Sequence, residues 1–137
     1  MSDDRRMASF LEAMPFAATL GIELRSASGE EVRGTLRWTE DLCTVSGVLH
    51  GGALMSFADT LGAICAFLNL PEGASTSTIE SKTNFFRLLR EGEVEAVARP
   101  LHVGRTVIVV QTDLLNHDGK RIAQTTQTQA VLPSRPA

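Results

Sequence analysis

The sequence predicts an α+β fold in which an antiparallel β-sheet wraps around one long central helix. Three observations lead there. From Gly51 to Leu68 the chain runs 18 residues without a proline and is apolar on nearly every side, and a helix that is hydrophobic all round is a buried one. Beyond it the apolar residues switch from helical spacing to a period of two and keep it through four long segments. Ahead of it two shorter alternating segments flank a turn signal. Strands that surround a single helix bury the sheet face and the helix in one core, which is the layered α+β arrangement.

Taken in order, the first element is Asp3 to Met14, where Met7, Phe10, Leu11 and Met14 recur at three- and four-residue spacing, as on one helix face. Pro15 stops it. From Gly21 to Trp38, Ile22 and Leu24, then Val32, Gly34, Leu36 and Trp38, alternate with polar residues across Ser28-Gly29, which predicts a hairpin. Thr39 to Leu49 reads as a loop. The helix Gly51 to Leu68 would be about 27 Å long at 1.5 Å per residue, and Asn69, Pro71 and Gly73 end it. Four strands follow, Thr76 to Leu89, Glu93 to Leu101, Thr106 to Asn116 and Arg121 to Leu132, with turns at Arg90-Glu91-Gly92, His102-Val103-Gly104 and Asn116-His117-Asp118-Gly119.

A chain of 137 residues fits one domain, residues 1–137, made of an N-terminal helical segment over 1–20 and a core over 21–132. With 43% hydrophobic and 21% charged residues it has the composition of a folded globule, which excludes disordered, collagen-like and coiled-coil classes. Thirteen basic against 16 acidic residues leave a net charge of −3, so there is no positive field for a phosphate polymer. Aromatics are 5% with no Tyr, and base stacking is poorly served too. No nucleic-acid partner is expected. The longest apolar run, Ala53 to Leu70, contains Ser56, Asp59, Thr60 and Asn69, too short and polar for a membrane span. Arg5-Arg6 ahead of Phe10 and Leu11 is similar to the start of an export signal, but Glu12 and Pro15 break the apolar stretch. Cys43 and Cys65 form no CxxC and imply no disulfide scaffold. A cytoplasmic protein is expected.

The chemistry concentrates at Val48-Leu49-His50-Gly51-Gly52 and in the helix behind it. Paired glycines at a helix start let a ligand or a second chain approach the backbone, and a helix N-terminus offers unpaired N–H groups to a carbonyl oxygen gaining negative charge. The alternative is a tight turn in which His50 caps or packs. Asp59 is the only charged side chain between Gly51 and Leu70. A carboxylate on a buried helix must be paired, protonated or functional. At 100° per residue Gly52 and Asp59 lie within about 20° of each other, with Ser56, Ala63 and Ala66, on a face of small residues. Leu54, Phe57, Leu61, Ile64 or Cys65, and Leu68 form the opposite stripe, expected to pack on the sheet. Seven residues separate Gly52 from Asp59 by about 10.5 Å along the helix, too far for both to reach one carbonyl group at about 3 Å. Two such helices lying antiparallel across a two-fold axis would bring Asp59 of one chain to the Gly51-Gly52 turn of the other. Zinc is not expected, since His50, His102 and His117 are scattered.

Leu49-His50-Gly51-Gly52 with an Asp nine residues beyond the His, on a long helix followed by four strands, resembles the hotdog-fold acyl-CoA thioesterases, in their phenylacetate-pathway (PaaI-like) branch. The spacing of Val103-Gly104-Arg105-Thr106 and of Asp118-Gly119-Lys120 with Ala123 matches as well. The resemblance implies that Gly51 donates its N–H to the thioester carbonyl oxygen and that His50 positions or polarises the thioester. It implies that Asp59 of the neighbouring subunit acts as nucleophile or as general base on water, and that the Thr78 hydroxyl orients that water. Where the family often has Asn or Gln six residues before the His, this chain has Thr44. It further implies a homodimer as the minimal active unit, its sheets joined edge to edge and usually paired again into a tetramer. No cofactor is expected, because CoA is part of the substrate. For the CoA moiety the substrate-binding candidates are Gly52, Thr44, Lys82, Arg87, Gly104 and Arg105, the cations among them serving nucleotide phosphates. Met55, Phe57, Phe85, Phe86 and the segment Phe10 to Phe16 would set the size of the acyl pocket. Two other readings use the same fold: an enoyl-thioester hydratase or dehydratase, and a non-catalytic acyl-CoA-binding module.

Overall fold

A computed structural model of the chain describes residues 3–134. The outermost positions of the expected 1–137 domain, 1–2 and 135–137, lie outside the described residues. The elements are α1 (Asp3–Ala13), α2 (Pro15–Leu20), β1 (Glu23–Ala27), β2 (Val32–Arg37), α3 (Gly51–Phe67), β3 (Ser75–Phe85), β4 (Glu93–Val103), β5 (Val107–Leu115) and β6 (Arg121–Leu132). Six strands form one antiparallel sheet in the order β1-β2-β4-β5-β6-β3. The sheet curls around α3, which packs against every strand from β2 to β6. This is the hotdog architecture.

Pro15 does end the first helix, but it also begins a second, because its fixed φ and missing N–H suit the first turn. Gly21, at φ 83°, closes α2 in the left-handed region. The core runs from Ile22 and Leu36 through Phe57, Leu61 and Ile64 to Ile108, Leu114 and Ile122, all buried. Cys65 is a fully buried free thiol in the same layer, and burial raises its pKa to about 11.

Two expectations are corrected. The central helix is not buried all round: Leu54, Phe57, Leu61, Ile64 and Cys65 face the sheet, while Gly52, Ser56, Asp59 and Ala63 are partly open and Met55 and Phe67 are exposed. Ala66, expected on the open face, is fully buried. The second correction concerns β3, whose side chains do not alternate simply. Thr78 pairs with Gln129 but Glu80 pairs with Thr128, so one extra residue, Ile79, is inserted as a β-bulge. The inward face is therefore Thr76 and Thr78 before the bulge, then Ser81, Thr83 and Phe85 after it, opposite Gln127, Thr125 and Ala123 of β6. A face that crosses both parities cannot be read from a period of two.

Candidate active site

The segment from Trp38 to α3 is irregular but tightly tied. Trp38 Nε1 donates to the Gly47 carbonyl at 2.9 Å, Leu49 N–H to Leu89 O at 2.8 Å, and His50 N–H to Leu42 O at 2.8 Å. These bonds hold His50 at the N-cap of α3 in extended conformation. Its Nδ1 accepts from Gly52 N–H at 2.7 Å, so the ring proton resides on Nε2 in the neutral form. His50 is thus a cap, satisfying one of the donors that a helix start leaves unpaired. Gly52 N–H is used up by this bond. Gly51 N–H, one residue earlier, has no acceptor among the described residues. The ring of Phe85 lies over Gly51, where an added methyl would meet Phe85 Cζ at 3.2 Å. Glycine keeps this donor open on one side and lets an aromatic wall it on the other.

Asp59 lies two turns further along α3 and is half-buried. Its Oδ1 accepts from Thr78 Oγ1 at 2.8 Å and from Gln127 Nε2 at 2.9 Å, while Oδ2 has no partner among the described residues. One carboxylate oxygen is anchored and the other is free. The anchors belong to a network that the sequence did not reveal. Gln127 Nε2 also donates to Gln129 Oε1 at 3.0 Å, which lies 2.6 Å from Thr78 Oγ1. Gln129 Nε2 donates to Thr76 Oγ1 at 3.2 Å. Gln127 and Gln129 are almost completely buried, which is rare for glutamine unless its amide is engaged. Gln127 Oε1 nevertheless has no partner among the described residues. Its amide is turned to serve Asp59 and Gln129 with its N–H groups, leaving the oxygen against Gly62, where any Cβ would overlap it. Leaving such an oxygen unpaired costs roughly 1–3 kcal/mol. The only hint in the sequence is two glutamines of one parity in an otherwise threonine-rich strand.

The geometry joins Asp59 to Thr78 and His50 to Gly52, and leaves the other candidates apart. Eight residues of helix put Gly51 about 12 Å from Asp59 of the same chain. Thr44 is exposed, and its backbone N–H rather than its hydroxyl is engaged, donating to Val48 O at 2.8 Å. Lys82 pairs with Thr126 on the side of the sheet away from α3, because the bulge reverses parity. Arg87 and Arg105 are exposed, Arg105 in the β4–β5 turn, where Gly104 N–H donates to Val107 O at 2.9 Å. Phe57, expected to set the size of the acyl pocket, is core and fully buried.

A family model, described as the thioesterase superfamily, matches residues 46–123, from the loop before α3 to the start of β6. A Haemophilus influenzae protein carrying an esterase name is 33% identical over 114 residues, 82% of this chain and 82% of that protein. The 1,4-dihydroxy-2-naphthoyl-CoA hydrolase of Escherichia coli K12 is 31% identical over 86 residues, 63% of either chain. Among solved structures, a thioesterase from Haemophilus influenzae superposes with a TM-score of 0.88 at 26% identity, covering 96% of this chain and 91% of that one.

Proposed function

The chain belongs to the thioesterase superfamily and is a thioester hydrolase, and from that premise we propose that it cleaves acyl-CoA thioesters at a site shared by two copies of the chain. The observation that carries the proposal is the division of labour along α3. Asp59 holds one oxygen in a hydrogen-bonded socket and leaves the other free, whereas the uncommitted donor, Gly51 N–H, lies about 12 Å away along the same helix. A second copy related by a two-fold axis brings its Gly51 to this Asp59. The open edge of β3, where Ile79 is more than half exposed, supports that pairing. An unpaired edge of this length is a template for another strand.

In the reaction, Asp59 Oδ2 takes a proton from water, and the hydroxide adds to the thioester carbonyl carbon. Gly51 N–H of the partner subunit holds the oxyanion of the tetrahedral adduct. The C–S bond then breaks, and the thiolate leaves with the proton returned by Asp59. If Asp59 is instead the nucleophile, Oδ2 forms an anhydride with the acyl group that water cleaves in a second step. Rapid acid quench of a single turnover separates the two, because only the nucleophilic route carries the acyl group on the Asp59 peptide. An acyl-CoA substrate is supported by the name of the Escherichia coli relative. A cytoplasmic setting suits two free thiols, Cys43 and Cys65.

The test uses two dead variants. Gly51 is the first helical residue and His50 is extended, a pair of positions that accepts proline at 51. Gly51→Pro therefore deletes the N–H with little change to the helix, and Gly51→Ala, which retains it, controls for the contact with Phe85. Free-thiol release from acyl-CoA should fall roughly 10²–10³-fold in Gly51→Pro relative to Gly51→Ala. Co-refolding Gly51→Pro with Asp59→Asn should restore about a quarter of wild-type activity, since half the dimers are mixed and each has one intact site. No recovery on mixing would defeat the shared site.

A further inference from the structure

On the proposed reading of Asp59, we infer that Gln129 is a positioning residue for the reaction: its amide oxygen gives the Thr78 hydroxyl a second acceptor, so that Asp59 can take up a proton without stranding that hydroxyl. Thr78 Oγ1 carries one proton and has two acceptors within reach, Asp59 Oδ1 at 2.8 Å and Gln129 Oε1 at 2.6 Å. It serves one of them at a time. That Gln129 turns its oxygen rather than its nitrogen to Thr78 is fixed by bonds on both sides. Thr76 Oγ1 gives its own proton to Ala130 O at 2.8 Å and accepts from Gln129 Nε2 at 3.2 Å. Gln127 Nε2, held to the Asp59 carboxylate at 2.9 Å, also donates to Gln129 Oε1 at 3.0 Å. A reversed Gln129 would set its N–H groups against those of Gln127.

While Asp59 is ionised, a charge-assisted bond draws the Thr78 proton to Oδ1. When Oδ2 takes a proton from water that charge is lost, and the hydroxyl turns to Gln129 Oε1, the nearer acceptor. Return of the proton to the leaving thiolate reverses the turn. A donor able to bond only the carboxylate would favour the charged form. The second acceptor removes part of that bias and keeps Asp59 the stronger base. Thr78 has no proton left for the reacting water and meets it only as an acceptor. Little else nearby is charged. β6 from Gln124 to Leu132, β3 from Ser75 to Thr78, α2, and α3 apart from Asp59 carry no charged side chain. Glu80 and Lys82 pair with Thr128 and Thr126 on the outer side of the sheet, Arg5, Arg6 and Glu12 of α1 are exposed, and His50 lies about 13 Å back along the helix. In the shared site, His50 of the partner subunit is the titratable group brought to Asp59, and it is the same in every variant below.

The experiment titrates Asp59 itself. Protein labelled with carbon-13 at the aspartate carboxyl carbon reports protonation by NMR without turnover, and the Asp59 signal is the one missing from Asp59→Asn. Gln129→Met keeps the volume and removes the second acceptor; it should lower the Asp59 midpoint by about 0.5–1 pH unit relative to the wild type, and the acid limb of kcat/KM should follow. Thr78→Val, which removes the donor, should raise the midpoint by a similar amount. In a Thr78→Val background, Gln129→Met should move it less than half as far. Should Gln129→Met not fold, Gln129→Asn, which draws the amide oxygen back by one methylene, takes its place with the same expected direction. A Gln129 variant that loses rate or stability while midpoint and acid limb stay put makes the residue structural only and overturns the inference. So does an upward move, or a downward one that Thr78→Val leaves undiminished. If the wild type hydrolyses no thioester, or Asp59→Asn is fully active, the reaction reading falls, and the NMR midpoints still decide whether Gln129 governs the protonation of this carboxylate.

Discussion

The two sides of α3 are built from the same turns of the same helix and obey different rules. The inner side, Leu54, Phe57, Leu61, Ile64 and Cys65, is shut against the sheet, and its residues are interchangeable with others of like volume. The outer side, Gly52, Ser56, Asp59 and Ala63, is partly open, and there a single atom decides the outcome. Gly52 N–H is consumed by His50 while Gly51 N–H is free; Asp59 Oδ1 is anchored while Oδ2 is free. Stability comes from the summed area of one side. Chemistry depends on which individual groups the other side leaves without partners.

Breaking the outer side should be the larger effect on turnover and the smaller on folding. Asp59→Asn should lower kcat for thioester hydrolysis roughly 10²–10⁴-fold with a melting temperature close to that of the wild type. A fully active, purified Asp59→Asn protein would falsify the role of this carboxylate. The inner side should answer in reverse. Leu61 is completely buried, and Leu61→Ala should cost about 2–5 kcal/mol of stability in urea denaturation. Its folded fraction should turn over substrate at nearly the normal kcat.

Gln127 sharpens the contrast, being a fully buried residue that serves the open side. Gln127→Met keeps the volume, removes the hydrogen bond to Asp59 and also removes the unpaired Oε1. It should slow kcat about tenfold, the value of one oriented hydrogen bond of roughly 1.4 kcal/mol, while denaturation shows stability equal to or above that of the wild type. A loss of stability in step with the loss of rate would make Gln127 an ordinary core residue.

The smallest effect lies far from both sides. Glu31 bonds Arg33 at 2.6 Å and Arg99 at 2.6 Å, tying the turn before β2 to β4, and the Arg33 hydrogen bond foremost holds its carboxyl below the ordinary 4.5. A carboxyl depressed on folding contributes stability that is fully present above its unfolded value. That stability is lost as pH falls through the lower folded value. Glu31→Gln should therefore flatten the acid limb of the stability curve below about pH 4.5 and leave pH 7 turnover untouched. The pair is solvent-facing, so the change is slight.

Much of this was legible in the residues and some of it was not, for definite reasons. The long helix, the first hairpin and the four later strands announce themselves by period and by turn residues, and Asp59 by being the one charge on an apolar helix. His50 and Gly51-Gly52 mark the helix start, yet only the folded geometry of the cap tells which glycine N–H is spent. The socket of Asp59 was hidden because β6 is polar on both parities from Gln124 to Gln129, so pairing rather than composition decides which side is inward. The face of β3 was hidden by the bulge at Ile79, which leaves no signature in a strand whose residues are nearly all polar. Pro15 reads as a terminator in the sequence, and the rule that it equally starts helices explains α2.

The deep burial of Cys65 has a practical side. Thioester hydrolysis liberates a thiol, and its progress is followed with reagents that capture thiolates. A protein thiol with a pKa of about 11 is ionised to only about one part in a thousand at pH 8 and is walled off as well. Of the two cysteines, only the partly exposed Cys43 competes for the colour reagent. The blank of the assay is then at most one equivalent per chain, a fixed offset that a few turnovers leave behind.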